Sequence, residues 1–165
     1  MAFESLSDEF IEGLISCRKH VENPKMREQV KPGHKQFNYN VEALDESGHQ
    51  FMLYTRQNTE EGMDDDFSCG LLWLASNGEC LTLCRYNGSA HIHRNKLENT
   101  SLELTCHIHR ATEKYIVANQ KPEGFAYPTA KYRTLNEALH CLIKECCIEG
   151  LMSGSTRANQ IDLFT

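Results

Sequence analysis

No apolar run in this chain approaches the ~20 residues that a bilayer-spanning helix needs, and proline and glycine are scarce, four and ten in 165 residues. With 40% apolar residues, collagen-like and disordered chains are set aside as well. No internal repeat and no low-complexity linker interrupts the sequence. The opening stretch Met1–Phe10 carries Glu4, Asp8 and Glu9 where a secretory leader wants basic residues, and it has no apolar centre. A cytoplasmic protein is expected, one that does not enter a membrane. There is also no C-x-x-C among the eight cysteines; the nearest spacings are Cys80-x3-Cys84 and Cys146-Cys147. Because Cys80, Cys84, Cys106, Cys141, Cys146 and Cys147 fall in apolar-periodic segments, buried reduced thiols are expected rather than a disulfide scaffold or a zinc ribbon.

What is present is one domain's worth of chain with a polarised charge. The net charge is −6. Residues 1–66 carry −7, whereas residues 85–133 carry +4, from eight basic side chains against four acids. A scattering of charges for solubility would account for this, but the positive block is also the one that holds two closely spaced pairs of histidines, 91/93 and 107/109.

The periodicity predicts an α+β domain over residues 1–150, with a flexible tail from 151 to 165. Ser7-Asp8-Glu9 is an N-cap followed by first-turn acids, and Phe10, Ile11, Leu14 and Ile15 keep helical spacing; the helix is expected to run to about Val21. Phe37, Tyr39, Val41 and Ala43, then Phe51, Leu53 and Thr55, alternate as a hairpin would. Glu60–Asp66 is an acidic loop. Phe67–Ala75 and Cys80–Tyr86 read as a second hairpin about Ser76-Asn77-Gly78. Ala111–Asn119 reads as a short helix, and Thr134-x-x-Glu137 is a capping box ahead of the stripe Leu135, Ala138, Leu139, Leu142 and Ile143. The sum is an antiparallel sheet of about six strands, with an N-terminal helix and C-terminal helices.

The chemistry-bearing feature is a doubled tripeptide, His91-Ile92-His93 and His107-Ile108-His109. On a strand, each copy puts its two histidines on one face. In the second copy Leu102, Leu104, Cys106 and Ile108 face one way, and Glu103, Thr105, His107 and His109 the polar way. If the two segments pair about 99–101, His91 faces His109, His93 faces His107, and four imidazoles share a face with neighbours ~5 Å apart. A slip of one residue would move the first pair to the other side.

Three readings compete. The histidines could be surface residues of a half-exposed sheet. They could hold Zn, Fe or Mn, with Glu98 or Glu103 as a carboxylate donor, in a metal-dependent hydrolase or oxygenase. Or they could work without metal on an RNA phosphodiester, one imidazole taking the 2′-OH proton and another protonating the leaving 5′-oxygen. In that reading Arg85, Arg94 and Arg110 are placed to face phosphate oxygens, no cofactor is required, and Tyr86 is a candidate for stacking on a base.

Arg85-Tyr86-Asn87-Gly88-Ser89-Ala90-His91-Ile92-His93, followed by Cys106-His107-Ile108-His109-Arg110, resembles the pattern of a family of small bacterial proteins over about residues 67–143. More distantly, over 85–109, it resembles the TumE-like toxin components of toxin–antitoxin operons. The resemblance implies a growth-inhibiting protein acting on RNA, with Arg85, Tyr86, His91, His93, His107 and His109 at matching positions. The chain departs from the toxin pattern at Asn87-Gly88, where that family carries Asp-Asn. The reading taken forward is a metal-free ribonuclease using His91, His93, His107, His109 and Arg85, with Tyr86, Arg94 and Arg110 in substrate binding. The alternative of another class is a non-enzymatic protein, antitoxin-like or a phage-encoded inhibitor, whose acidic loop Glu60–Asp66 docks on a basic protein partner.

Overall fold

The computed structural model describes residues 6–151. Helix α1 (Asp8–Ser16) starts as its sequence directs: the Ser7 side-chain oxygen accepts from the Phe10 amide, Asp8 and Glu9 occupy the first turn, and Ile11, Leu14 and Ile15 are buried. It stops before Val21. Lys19–Val21 is a short strand, β1, with Lys19 and Val21 inward and His20 outward. The chain then forms β2 (Gln29–Lys31), β3 (His34–Ala43), β4 (Gln50–Asn58), β5 (Phe67–Leu74) and β6 (Cys80–Asn87). A small hairpin of β7 (His93–Asn95) and β8 (Thr100–Leu102) follows. After it come β9 (His107–Arg110), helix α2 (Glu113–Val117), β10 (Phe125–Pro128), helix α3 (Leu135–Glu145) and β11 (Ile148–Glu149).

The main sheet has nine strands in the order β10-β9-β6-β5-β4-β3-β1-β11, with β2 against the outer part of β3. Every pairing is antiparallel except β1 with β11, which is parallel. The α+β expectation holds, with a helix near each end. The sheet exceeds the expected six strands because short segments such as β1, β2 and β11, too brief for a periodic signal, extend its margins. The tail expected to be flexible lies outside the described residues from 152 onward; Leu151 is buried in the core.

Directly paired residues point to the same side of a sheet, so the register separates two faces. Tyr39, Val41, Phe51, Leu53, Phe67, Cys69, Leu71, Tyr86 and Ile108 are buried on the face under the helices, part of one continuous core that also takes in Ile11 and Leu151. The opposite face carries Asn38, Tyr54, Arg56, Ser68, Arg85 and Asn87 at mutually paired or alternating positions. Helix α3 keeps its capping box, with Thr134 Oγ1 accepting from the Glu137 amide at 3.2 Å, while the Glu137 carboxylate accepts from the Arg133 amide at 2.8 Å.

Cys69, Cys84, Cys106 and Cys146 are buried and Cys17 and Cys141 partly so, but Cys80 and Cys147 are exposed. This corrects the expected burial of those two: Cys80 begins β6 straight after the turn, and Cys147 leaves α3 in the left-handed region at φ 55°. All eight thiols are free.

Lys19 explains why α1 ends where it does. Its side chain is fully buried, and its ammonium donates to Ile15 O at 2.7 Å, Cys17 O at 2.8 Å and Cys146 O at 2.8 Å. These are carbonyls at the C-terminal ends of α1 and α3, where helix ends leave acceptors unpaired and favour a cation. The Phe51 ring lies 5.1 Å from the ammonium. Replacing Lys19 by Met would keep the volume and leave three buried carbonyls without a donor, a loss of about 3 kcal/mol or more. The urea midpoint of Lys19→Met against wild type checks this; an unchanged midpoint would mean that water takes over the carbonyls.

Candidate functional site

The two histidine tripeptides do not pair with each other. In the small hairpin His93 stands opposite Leu102 and Asn95 opposite Thr100. The turn is made by residues 96–99, with Asn99 left-handed at φ 56°. It closes earlier than a turn about 99–101. β9 is inserted instead between β6 and β10, so that His107 is opposite Asn87 and Pro128, and His109 opposite Arg85 and Ala126. The expected register is thereby corrected: β6 and β10 together satisfy the backbone of His107–Arg110 on both sides, which the three-residue β7 could not do.

Three of the four histidines nevertheless meet, because the hairpin folds over the polar face of the sheet. Asn95 fixes it there. The Asn95 side chain is buried and mimics a strand neighbour, its Oδ1 accepting from the Ala126 amide and its Nδ2 donating to the Ala126 carbonyl, both at 2.8 Å. The hairpin tip is tied down too, with the Tyr115 hydroxyl donating to Glu98 at 2.7 Å and accepting from the Leu97 amide at 3.2 Å. The His93 ring centroid then lies 4.5 Å from that of His109 and 5.8 Å from that of His107, and the latter two are 5.1 Å apart. His107 and His109 do lie on the face away from the helices, but they are buried there, at 1% and 3% exposure.

Each ring is held by a carbonyl, which can only accept. His107 Nδ1–H donates to Thr105 O and His109 Nδ1–H to Glu123 O, both at 2.9 Å, and His93 Nε2–H donates to Gly124 O at 2.9 Å. These partners put a ring proton on Nδ1 of His107 and His109 and on Nε2 of His93. Burial lowers the pKa of His107, helped by the nearby His93 and Arg85 charges and opposed by the Thr105 carbonyl. Burial and the Arg85 guanidinium together bring His109 down to about 3.

His91 stays out of this cluster. It is exposed, follows β6 before β7 begins, and places Nε2 3.4 Å from Asp66 Oδ1. It lines the mouth of a cleft of about 250 Å³, together with Tyr54, Arg56, Ser68, Arg85 and Asn87, and with Asp65 and Asp66 at the rim. Arg85 reaches from the cleft to the buried Glu123, Nη1 to Oε2 3.7 Å. Arg85 Nε and Asn87 Oδ1 are buried without a hydrogen-bond partner among the described residues. The Asn87 amide nitrogen lies 3.5 Å from His107 Nε2, so the unprotonated nitrogen of His107 sits directly behind the cleft wall.

Tyr86 faces the other way. Its ring stacks on Tyr132 at 5.9 Å in the core and its hydroxyl donates to Glu145, so it is not available to a substrate. Alternation along β6, with Arg85 and Asn87 toward the cleft, requires this. Arg110 also lies on the helix side, paired with Glu12 of α1, and Arg94 is bound to Asn99 within its own hairpin. The donors weighed for a metal do not assemble: Glu98 is engaged by Lys114 and Tyr115, Glu103 is exposed, and among the described residues no three His, Cys, Asp or Glu side chains are placed to share an ion.

No family model, curated protein or solved structure matches the chain. The site therefore rests on its own geometry. Sequence reasoning did not single out Tyr54, Ser68 or Glu123, and it read Asp66 only as part of an acidic docking loop. Asn87 was legible from its parity with Arg85, whereas Asp66 and Glu123 come close only through tertiary folding.

Because His107 and His109 have lowered pKa values in the fold, unfolding takes up protons below the free imidazole value of ~6.5. Their contribution is complete above about pH 6.5 and is lost as pH falls toward about 3 for His109. Each such proton makes stability fall by about 1.4 kcal/mol per pH unit inside that window. Urea unfolding from pH 7.5 to 4.5 is expected to show this slope, and His109→Gln to flatten it; equal slopes would place the depressed histidine elsewhere.

Proposed function

We propose that this protein is an RNA-directed, metal-free phosphodiesterase of toxin type whose reaction cleft lies on the open face of β4, β5 and β6. The observation that carries the reading is the juxtaposition, in one cleft, of the Arg85 guanidinium, the Asn87 amide and the exposed His91, with neutral His107 immediately behind Asn87. His107 Nε2 takes the proton of a ribose 2′-OH once the Asn87 amide turns aside. The 2′-oxygen attacks phosphorus, and His91, whose Nε2 lies beside Asp66 Oδ1, gives a proton to the departing 5′-oxygen. The products are a 2′,3′-cyclic phosphate and a 5′-hydroxyl end, so protons and bonds balance. Arg85 faces the charge that develops on the phosphoryl oxygens. Asp65 and Asp66 at the rim balance the arginines, which suits gripping one phosphodiester rather than a long stretch of backbone. The resemblance at Arg85–His109 points the same way.

A second reading is a binding protein with no chemistry at this face. It is favoured by the burial of His107 and His109, which makes the three-ring cluster a structural support for the hairpin.

Cleavage of a labelled mixed-sequence RNA in excess EDTA separates the two. Cleavage that survives chelation and falls by about 10²–10⁴ in His91→Ala and Arg85→Ala is expected. Binding without cleavage, with or without added metal, would leave the second reading.

A further inference from the structure

The pairing register lines up side chains across the open face in rows. One row runs Gln29, Gln36, Arg56, Ser68, Asn87 and His107, from β2 to β9. The next runs Asn38, Tyr54, Gly70, Arg85 and His109. Beyond the first, at the open end of β3, Lys31 stands opposite His34 and His34 opposite Asn58.

Neighbouring strands are about 4.8 Å apart, so the first row covers about 19 Å between β6 and β2. The facing positions from 34 to 40 in β3, 52 to 58 in β4 and 68 to 72 in β5 contain no acid. Arg56 has no ion-pair partner among the described residues, nor has Lys31. The carboxylates at the rim are partly occupied: Asp66 accepts from Asn58 Nδ2 at 2.9 Å and meets His91. Positive charge therefore extends from Arg56 in the cleft to Lys31 on β2.

Tyr54 sets the character of the surface. A Cβ at Gly70 would fall 2.7 Å from Tyr54 Cε1 and 3.0 Å from its Cζ. The ring thus lies against the bare backbone of Gly70, and Tyr54 keeps part of its surface exposed. A half-buried aromatic on an open sheet face, with Arg85 in its own row and Arg56 and Asn87 in the next, is suited to stacking on an unpaired base. A duplex hides its bases and offers such a ring nothing to stack on.

We infer that the open face, from the cleft across β4 and β3 to β2, is a track for single-stranded RNA, with Tyr54 stacking on a base and Arg56 and Lys31 contacting phosphates. This rests on the reading that the protein acts on RNA and adds the form of the substrate and the direction in which it lies.

The test is fluorescence anisotropy of the full chain with a labelled, mixed-sequence 2′-O-methyl RNA 12-mer, which cannot undergo 2′-OH attack, beside the matching duplex. The single strand is expected to bind at least about tenfold more tightly than the duplex, Tyr54→Ala to weaken it about tenfold, and Tyr54→Phe to keep it. Arg56→Ala and Lys31→Ala, which leave the core untouched, should each lower the slope of log K against log salt by about 0.7. Equal binding of duplex, or folded Tyr54→Ala, Arg56→Ala and Lys31→Ala proteins that bind like wild type, would overturn the track even if EDTA-resistant cleavage of ordinary RNA is found. Track binding without any cleavage of ordinary RNA would uphold the track and overturn the enzyme reading, and the absence of both would overturn both.

Discussion

Two helices are drawn to the same side of the sheet by one buried ammonium. Lys19 takes carbonyls from the ends of α1 and α3 at once, so both helices must terminate near β1 and lie over the same face. The apolar side chains of β3 to β6 are covered as a result, and the opposite face is left to polar residues. Of the two faces of the sheet, that one stays open, because the helices cover the other.

The open face is then divided by a second polar device. Asn95 stands in for a strand beside Ala126 and holds the β7–β8 hairpin over one end, where His93 packs on the buried His107 and His109. The rest, from Arg85 toward β2, stays accessible. The same residue type thus does two jobs on this face: His107 and His109 are buried, held by backbone carbonyls and lowered in pKa, while His91, outside the hairpin, keeps contact with solvent and a carboxylate. His107 lies at the boundary, its unprotonated nitrogen separated from the cleft by a single amide group.

Local order was largely legible in the sequence, and long-range order was not. Alternation at Phe37–Ala43 and Phe67–Ala75, Asn77-Gly78 at a turn, and the Thr134 cap each express an interaction within a few residues, and each appears in the fold. The end of α1 was misjudged because the acceptors of Lys19 include Cys146 O, 127 residues away, a partner that no local window contains. The histidine segments show the same limit. That His107 and His109 share a face follows from the period of a strand, but their neighbours were set by competition among strands. β6 and β10 prevailed through backbone hydrogen bonds, which carry no side-chain signature. Tyr86 was misassigned for a different reason: its role was taken from its position in a motif, although Arg85 and Asn87 on either side already assign it to the core face.

The pairing of β1 with β11 bears on how the chain reaches this state. Lys19 lies beside Ile148, so the strand that follows the first helix acquires its outer neighbour from the end of the described chain. Contacts so distant in sequence form slowly, because the intervening loop must close first. On the ribosome, β1 can pair with β3 early, but its outer edge stays open until α3 and β11 have emerged. Lys19 likewise waits for its last acceptor, so the core closes only once residues 146–149 have emerged.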